Sequence, residues 1–251
     1  MLQHGEPRSV TGVPLSDVYS TLRNNSHSYT VWGVPIERSV TMLVGALFEA
    51  FDPEQCTLQH FARWARDPQS KYYEAIQQVH KRGGTDEEAA AVIRQGWAAL
   101  GEEASRLGTA LHLHAELDAN RVAAEAPREL LKEVQQFEAF LRSGFVRDAG
   151  LRPYRTELSV AWRVDGHAVT AGQIDCLYQS REGLVIMVDF KRVASKHSLE
   201  PWASSYGKYG KPPLEELPDA PFWRYSLQQS LYNVMAKQVG ARVRRQPCAA
   251  A

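Results

Sequence analysis

The sequence predicts an α/β fold, on three observations. Helical patterns dominate from about residue 39 to residue 141, residues 154–188 then read as three consecutive strands, and residues 223–239 return to helix. Hydrophobic period, turn residues and β-branched content distinguish these segments. A meander of antiparallel strands set between helices is the arrangement this order implies.

Taken in order, residues 1–28 carry Pro, Ser and Asn with little periodicity and read as a loose lead-in. A short strand is expected over 29–34, punctuated by Gly33 and Pro35. Ser39 or Thr41 then caps a helix running to Phe51, which Asp52 and Pro53 end. Further helices are expected over 58–64 and 72–81. Thr85 and Glu88 form a capping box, in which each side chain reaches a backbone N–H that the helix start leaves open. The helix behind it runs to about Asn120, with a break or bend near Gly101. Over 127–141, Leu130, Leu131, Val134, Phe137 and Leu141 make one apolar face.

Residues 154–164 and 168–178 are strands joined at Asp165-Gly166, a strong hairpin signal. After a turn over 180–183, the apolar run 184–188 is expected to be a strand buried on both faces. Residues 194–222 form a long loop rich in Pro, Gly, Ser and aromatics, and loops of that length are usually functional or disordered. Gly240 is the expected C-cap of the last helix. The expected division is a lead-in (1–28), a mainly helical N-terminal part packed on the core (29–100), and the core itself (101–251).

Composition limits the function classes. The chain has 251 residues, 29 basic and 29 acidic, so net charge is zero. A nucleic-acid partner would therefore need local rather than global positive charge. No apolar run approaches a membrane span, the longest being 40–51, so no membrane partner is expected. Cys56, Cys176 and Cys248 are widely spaced, without a CxxC, which argues for isolated reduced thiols rather than a zinc site or disulfide framework. The start lacks a secretory signal, so an intracellular protein is expected, with mitochondrial, nuclear and cytoplasmic placement left open.

Three constellations can carry chemistry. Gly108, His112 and Glu116 share one helical face, where a neutral imidazole can bind a metal, although a helix with a satisfied surface histidine has the same pattern. Asp175 ends Gly172-Gln-Ile-Asp175 on one strand, and Asp189 and Lys191 share a face at the end of the next, with Phe190 opposite. Two close carboxylates repel unless they share a proton or cation. Oxygen ligands with an imidazole suit Mg²⁺ or Mn²⁺, while a plain Asp–Lys salt bridge fits the same residues. Gln228 and Tyr232 stand one turn apart on an otherwise ordinary amphipathic helix.

Together and in this order, these residues resemble the RecB-like branch of the PD-(D/E)XK nuclease superfamily. The family pattern runs GxxxHxxxE, an acidic residue, GxxD, (D/E)xK and QxxxY. It is matched by Gly108, His112 and Glu116; by Glu157; by Gly172 and Asp175; by Asp189 and Lys191; and by Gln228 and Tyr232. Residues 39–41 and 217–225 also look like viral, phage and mitochondrial members of the branch. The resemblance covers about residues 101–240. It implies a restriction-endonuclease-like core, its meander part of a mixed sheet that usually gains another strand after the QxxxY helix.

It implies Mg²⁺- or Mn²⁺-dependent hydrolysis of phosphodiester bonds leaving a 5′-phosphate. His112, Asp175, Asp189 and the Phe190 carbonyl would be metal ligands, and Lys191 would orient or activate water. Glu116 and Glu157 would support the site, and Gln228 and Tyr232 would contact nucleic acid or brace the catalytic strand. The four cysteines of iron–sulfur relatives are missing, so no cluster is expected. Arg192, Lys196, Lys208, Lys211 and Arg224, interleaved with aromatics, would grip the substrate. DNA, preferentially single-stranded, is the expected partner, attacked by an exonuclease. The alternatives are a structure-selective endonuclease, a catalytically inactive nucleic-acid-binding module, and a scaffold whose motif matches are chance.

Overall fold

The computed structural model describes residues 8–9, 18–23, 26–193, 195–203, 205–238 and 243–244. It is a mixed α/β structure that divides into two compact units, Met1–Glu49 with Leu107–Ala251, and Ala50–Arg106. The boundaries therefore fall near residues 49 and 106 rather than near 28 and 100. Segments within residues 1–49 belong with the later part of the chain: one supplies an edge strand to its five-stranded sheet, others form a three-stranded sheet of their own, and a short helix packs on the same core.

The helical unit contains α2 (Pro53–Arg66), α3 (Tyr73–Lys81) and the start of α4 (Asp86–Ala119). Asp52, expected to end the preceding helix, instead begins α2. Its Oδ1 accepts from the Glu54 and Gln55 amides at 2.9 Å, and Pro53 needs no amide partner at that position. The capping box forms as expected: Thr85 N donates to Glu88 Oε2 at 2.7 Å and Glu88 N donates to Thr85 Oγ1 at 3.2 Å. Trp64, Ile76, Val79, Ala89 and Ile93 build the core of this unit. α4 does not break at Gly101. One glycine costs a helix only about 1 kcal/mol, which a 34-residue element absorbs.

In the other unit, β2 (Val18–Arg23), β3 (Ser26–Val31) and β4 (Val34–Ile36) form a three-stranded antiparallel sheet. The expected single strand over 29–34 is in fact a hairpin, because Trp32 and Gly33 both take positive φ (49° and 80°) and reverse the chain. α1 (Val40–Ala46) is capped by Ser39, whose Oγ accepts from Met42 N, and it ends well before Phe51.

The larger sheet has the order β1-β5-β6-β7-β8, with β1 (Arg8–Ser9), β5 (Arg152–Val164), β6 (His167–Gln179), β7 (Val185–Val188) and β8 (Val243–Arg244). Its pairs are antiparallel except β7–β8, which is parallel. α7 (Pro221–Gln238) joins those two strands, which agrees with the need of a parallel pair for a long crossover. Asp165 and Gly166, at φ 50° and 79°, close the β5–β6 hairpin. Gly240 lies outside the described residues.

Two apolar clusters cover the sheet. Val40 and Val44 of α1, Phe48 just beyond it, and Met235 and Ala236 of α7 pack with Leu158, Val160 and Ile174. Ala115 and Ala119 of α4, Phe137 of α5 (Leu131–Leu141) and Val146 of α6 (Gly144–Asp148) pack with Cys176, Tyr178, Ile186 and Val188. Strict alternation would put Ile174 and Cys176, and equally Thr156 and Leu158, on one face. They lie on opposite faces. The phase reverses at Glu157, whose φ of 49° is rare for a side-chain-bearing residue, while the pairing register is unchanged across it.

Candidate metal centre

That reversal sits beneath the acidic residues. Thr156 pairs with Cys176 and Leu158 with Ile174, so Glu157 stands across from Asp175. Gln173 Nε2 donates to the Glu157 carbonyl at 3.1 Å. From α4, His112 Nε2 lies 2.6 Å from the Phe190 carbonyl oxygen and 3.7 Å from Asp175 Oδ2. A carbonyl only accepts, so Nε2 carries the proton in this arrangement. Phe190 N donates to Asp175 Oδ2 at 2.8 Å. Beyond β7, Lys191 Nζ lies 2.7 Å from Asp189 Oδ2 and 5.4 Å from the Tyr225 ring centre. The Phe190 ring turns the other way, edge-on to Phe137. Glu116, one turn beyond His112, is buried, and Asn120 Nδ2 ties its carbonyl to Thr156 Oγ1.

Electrostatics explain the pairing. Burial, and then the charge of Asp175, raise the Asp189 pKa to about 6, against the opposite pull of Lys191 and His112. Burial alone would lower the Lys191 pKa, but Asp189 and then Asp175 raise it above its ordinary value. Burial leads the Asp189 shift and the two carboxylates lead the rise of Lys191, and both effects favour a proton or cation beside Asp189.

The α7 helix supplies the remaining motif. Gln228 Nε2 donates to the Tyr232 hydroxyl at 3.2 Å and to Thr41 Oγ1 at 3.4 Å. Tyr232 is only 3% exposed and packs on Gly172. Burial pushes its phenol up to about 12. Tyr29 of β3 is buried as well; after burial itself, the charges that raise its pKa are those of Tyr232, Glu157 and Asp175, which places it beside the acidic group. No motif signals Tyr29 or Asn120, since each reaches the site through tertiary pairing alone.

The chain matches no protein-family model, no curated protein and no solved structure.

The donor chemistry suits a hard divalent cation: an imidazole, carboxylates and a carbonyl, with negative charge in excess. The ligands are not preassembled, however. Among the described residues no three His, Cys, Asp or Glu side chains are grouped as a metal set, and Asp189 is engaged by Lys191. Cys56 and the buried Cys176 are free thiols, and Cys248 lies outside the described residues.

The expected substrate-gripping cations are mostly neutralised. Arg192 pairs with Glu133 at 2.8 Å, Lys208 with Glu49 at 3.5 Å, and Arg224 with Asp219 at 2.6 Å. Lys211 makes no ion pair among the described residues, and the side chain of Lys196 lies outside them. The aromatics divide. Trp202, Tyr206 and Tyr209 are 77%, 92% and 53% exposed, whereas Trp223 donates through Nε1 to the Pro201 carbonyl. No helix among the described residues is long and apolar enough to cross a membrane.

Proposed function

We propose that the protein is a divalent-metal-dependent nuclease with a restriction-endonuclease-like core, acting on DNA and preferentially on single-stranded ends. The observation that carries this reading is the meeting of His112, Asp175 and the Asp189–Lys191 pair, from α4, β6 and the end of β7, around the Phe190 carbonyl. The order α4-α5-α6-β5-β6-β7-α7-β8, with β8 parallel to β7, supports the same core.

His112, Asp175, Asp189 and the Phe190 carbonyl would hold Mg²⁺ or Mn²⁺, and the ion would neutralise phosphoryl charge and lower the pKa of water. Lys191, kept protonated by Asp189 and Asp175, donates hydrogen bonds to a phosphoryl oxygen or orients the attacking water. Glu116, one turn along α4 from His112, and Glu157, across from Asp175, are both buried and would support the site. Gln228 and Tyr232 brace α7 against Gly172 and so hold the Asp175 strand. Trp202, Tyr206 and Tyr209 offer exposed faces on which unpaired bases stack.

One observation favours a second reading, an inactive nucleic-acid-binding module: Asp189 is already ion-paired with Lys191. Incubation of the wild-type chain with end-labelled single-stranded and duplex DNA, in Mg²⁺, Mn²⁺ or EDTA, separates the two. The nuclease gives products with either metal and none in EDTA. A product ladder stepping from one end identifies an exonuclease, and internal cuts an endonuclease. Binding without products under any condition overturns the enzyme reading.

A further inference from the structure

A cavity of about 910 Å³ opens where α4 ends and β5 and β6 meet their turns. Arg121, Arg152 and Arg181 line it, and all three are exposed and make no ion pair among the described residues. Asp118 is the only acidic residue in the wall.

The backbone is specially shaped at three points of this wall. Arg121 follows α4 in the left-handed region (φ 58°), where Val122 N donates to the Leu117 carbonyl. Glycine holds such helix ends without strain, so an arginine there costs about 1 kcal/mol. The negative helix end compensates part of that cost. Gly150 (φ 58°) leaves the space that Arg181 occupies, since a Cβ there would meet the Arg181 Nε and Cγ atoms. Finally, the β5–β6 register slips between Pro153 and Arg155, and the bulge re-aims Tyr154 into the cavity wall.

We propose that this cavity binds phosphate groups of a nucleic-acid strand, away from the hydrolytic centre. Three guanidiniums against one carboxylate suit phosphate, and Tyr154 adds an aromatic face beside them. The cavity lies along the same helix and strands as the candidate metal centre: Arg121 is about 13 Å beyond His112 at 1.5 Å per residue. A strand reaching from one to the other would be held where the motif residues make no contact. This proposal rests on the nucleic-acid reading of the neighbouring site.

The test is fluorescence anisotropy of a labelled single-stranded oligonucleotide in EDTA, over a salt series. The full-length wild type is compared with Arg121→Gln/Arg152→Gln/Arg181→Gln and with the corresponding triple lysine variant. Each phosphate contact contributes a slope of about 0.7 in log affinity against log salt, so the glutamine variant should lose about 2 and the lysine variant little. Should the triple variant fail to fold, each single Arg→Gln variant should lose about 0.7.

An unchanged slope in the glutamine variants, or no strand binding by wild type, overturns the proposal. Inorganic phosphate tests for a small-anion site. A wild-type thermal shift that vanishes in the glutamine variant, with the oligonucleotide slope unaltered, also overturns the strand assignment. Cleavage in Mg²⁺ or Mn²⁺ is scored separately. An arginine-dependent slope without cleavage sinks the nuclease reading and leaves the cavity assignment standing.

Discussion

Gly172 lies directly beneath Tyr232, so closely that a Cβ on residue 172 would stand 2.5 Å from the ring Cε1 and 2.9 Å from the hydroxyl. Two motif elements far apart in sequence are thus one packing unit, a strand glycine cut to receive a helix tyrosine. Tyr232 is buried and flanked by apolar neighbours, so the ring has little room to retreat. Gly172→Ala is expected to destabilise the protein by about 1–3 kcal/mol through overpacking. Adding Tyr232→Leu should recover part of that loss. Denaturant unfolding of both single variants and the double variant measures the coupling, and strict additivity would contradict the contact.

The Asp189–Lys191 pair is buried between a second carboxylate and a phenol. Lys191→Met removes the cation and leaves Asp175 and Asp189 without it. Breaking a buried pair from one side typically costs 3–5 kcal/mol, and the partial exposure of Lys191 places the expected loss toward about 3 kcal/mol. Unfolding in EDTA checks this. A variant as stable as wild type would show that the pair is solvated and not confined as described.

Alkaline stability follows from the buried phenols. Burial raises the pKa of Tyr178 above its usual value and that of Tyr232 to about 12. Between pH 10 and 12 the unfolded chain therefore binds fewer protons than the folded one, and stability falls as pH rises. Below pH 10 both states are protonated and this contribution is complete. Denaturant midpoints measured from pH 8 to 11.5 should decline above 10, and less steeply in Tyr178→Phe. A flat profile would mean that the phenols reach water.

The exposed aromatics give a prediction about binding that is independent of stability. Trp202, Tyr206 and Tyr209 are exposed, so replacing all three with Ala should shift the thermal midpoint only slightly. Single-strand affinity should fall by about 1–3 kcal/mol for each base that loses its stacking partner. Unaltered affinity in a strand-binding protein would remove this loop from the interface.

The residues of the site were legible where the chemistry is local. His112 and Glu116 are one helical turn apart, Asp189 and Lys191 stand two residues apart and pair just beyond the end of β7 rather than on the strand itself, and Asp165-Gly166 and Thr85–Glu88 signal their turn and cap within a few residues. What depends on distant partners was not legible. Arg192 meets Glu133 and Lys208 meets Glu49 across long stretches of chain, so a cluster that reads as basic is largely paired. The phase reversal at Glu157 was equally hidden, because the alternation on either side reads as regular strand. Asp52 looked like a stop for α1, since a cap residue has the same composition whether a helix ends before it or begins after it.

Whether hydrolysis occurs at the Asp175, Asp189 and Lys191 centre is measured by single-turnover cleavage of an end-labelled single strand in Mn²⁺ by wild type, Lys191→Ala and Asp175→Asn, with folding of each verified by thermal unfolding. Cleavage by the wild type is expected, with a loss of at least about a hundredfold in both folded variants, the scale of removing one electrostatic or acid–base group. Cleavage by either folded variant at the wild-type rate would contradict it, since the activity would then arise elsewhere than at the Asp175, Asp189 and Lys191 centre.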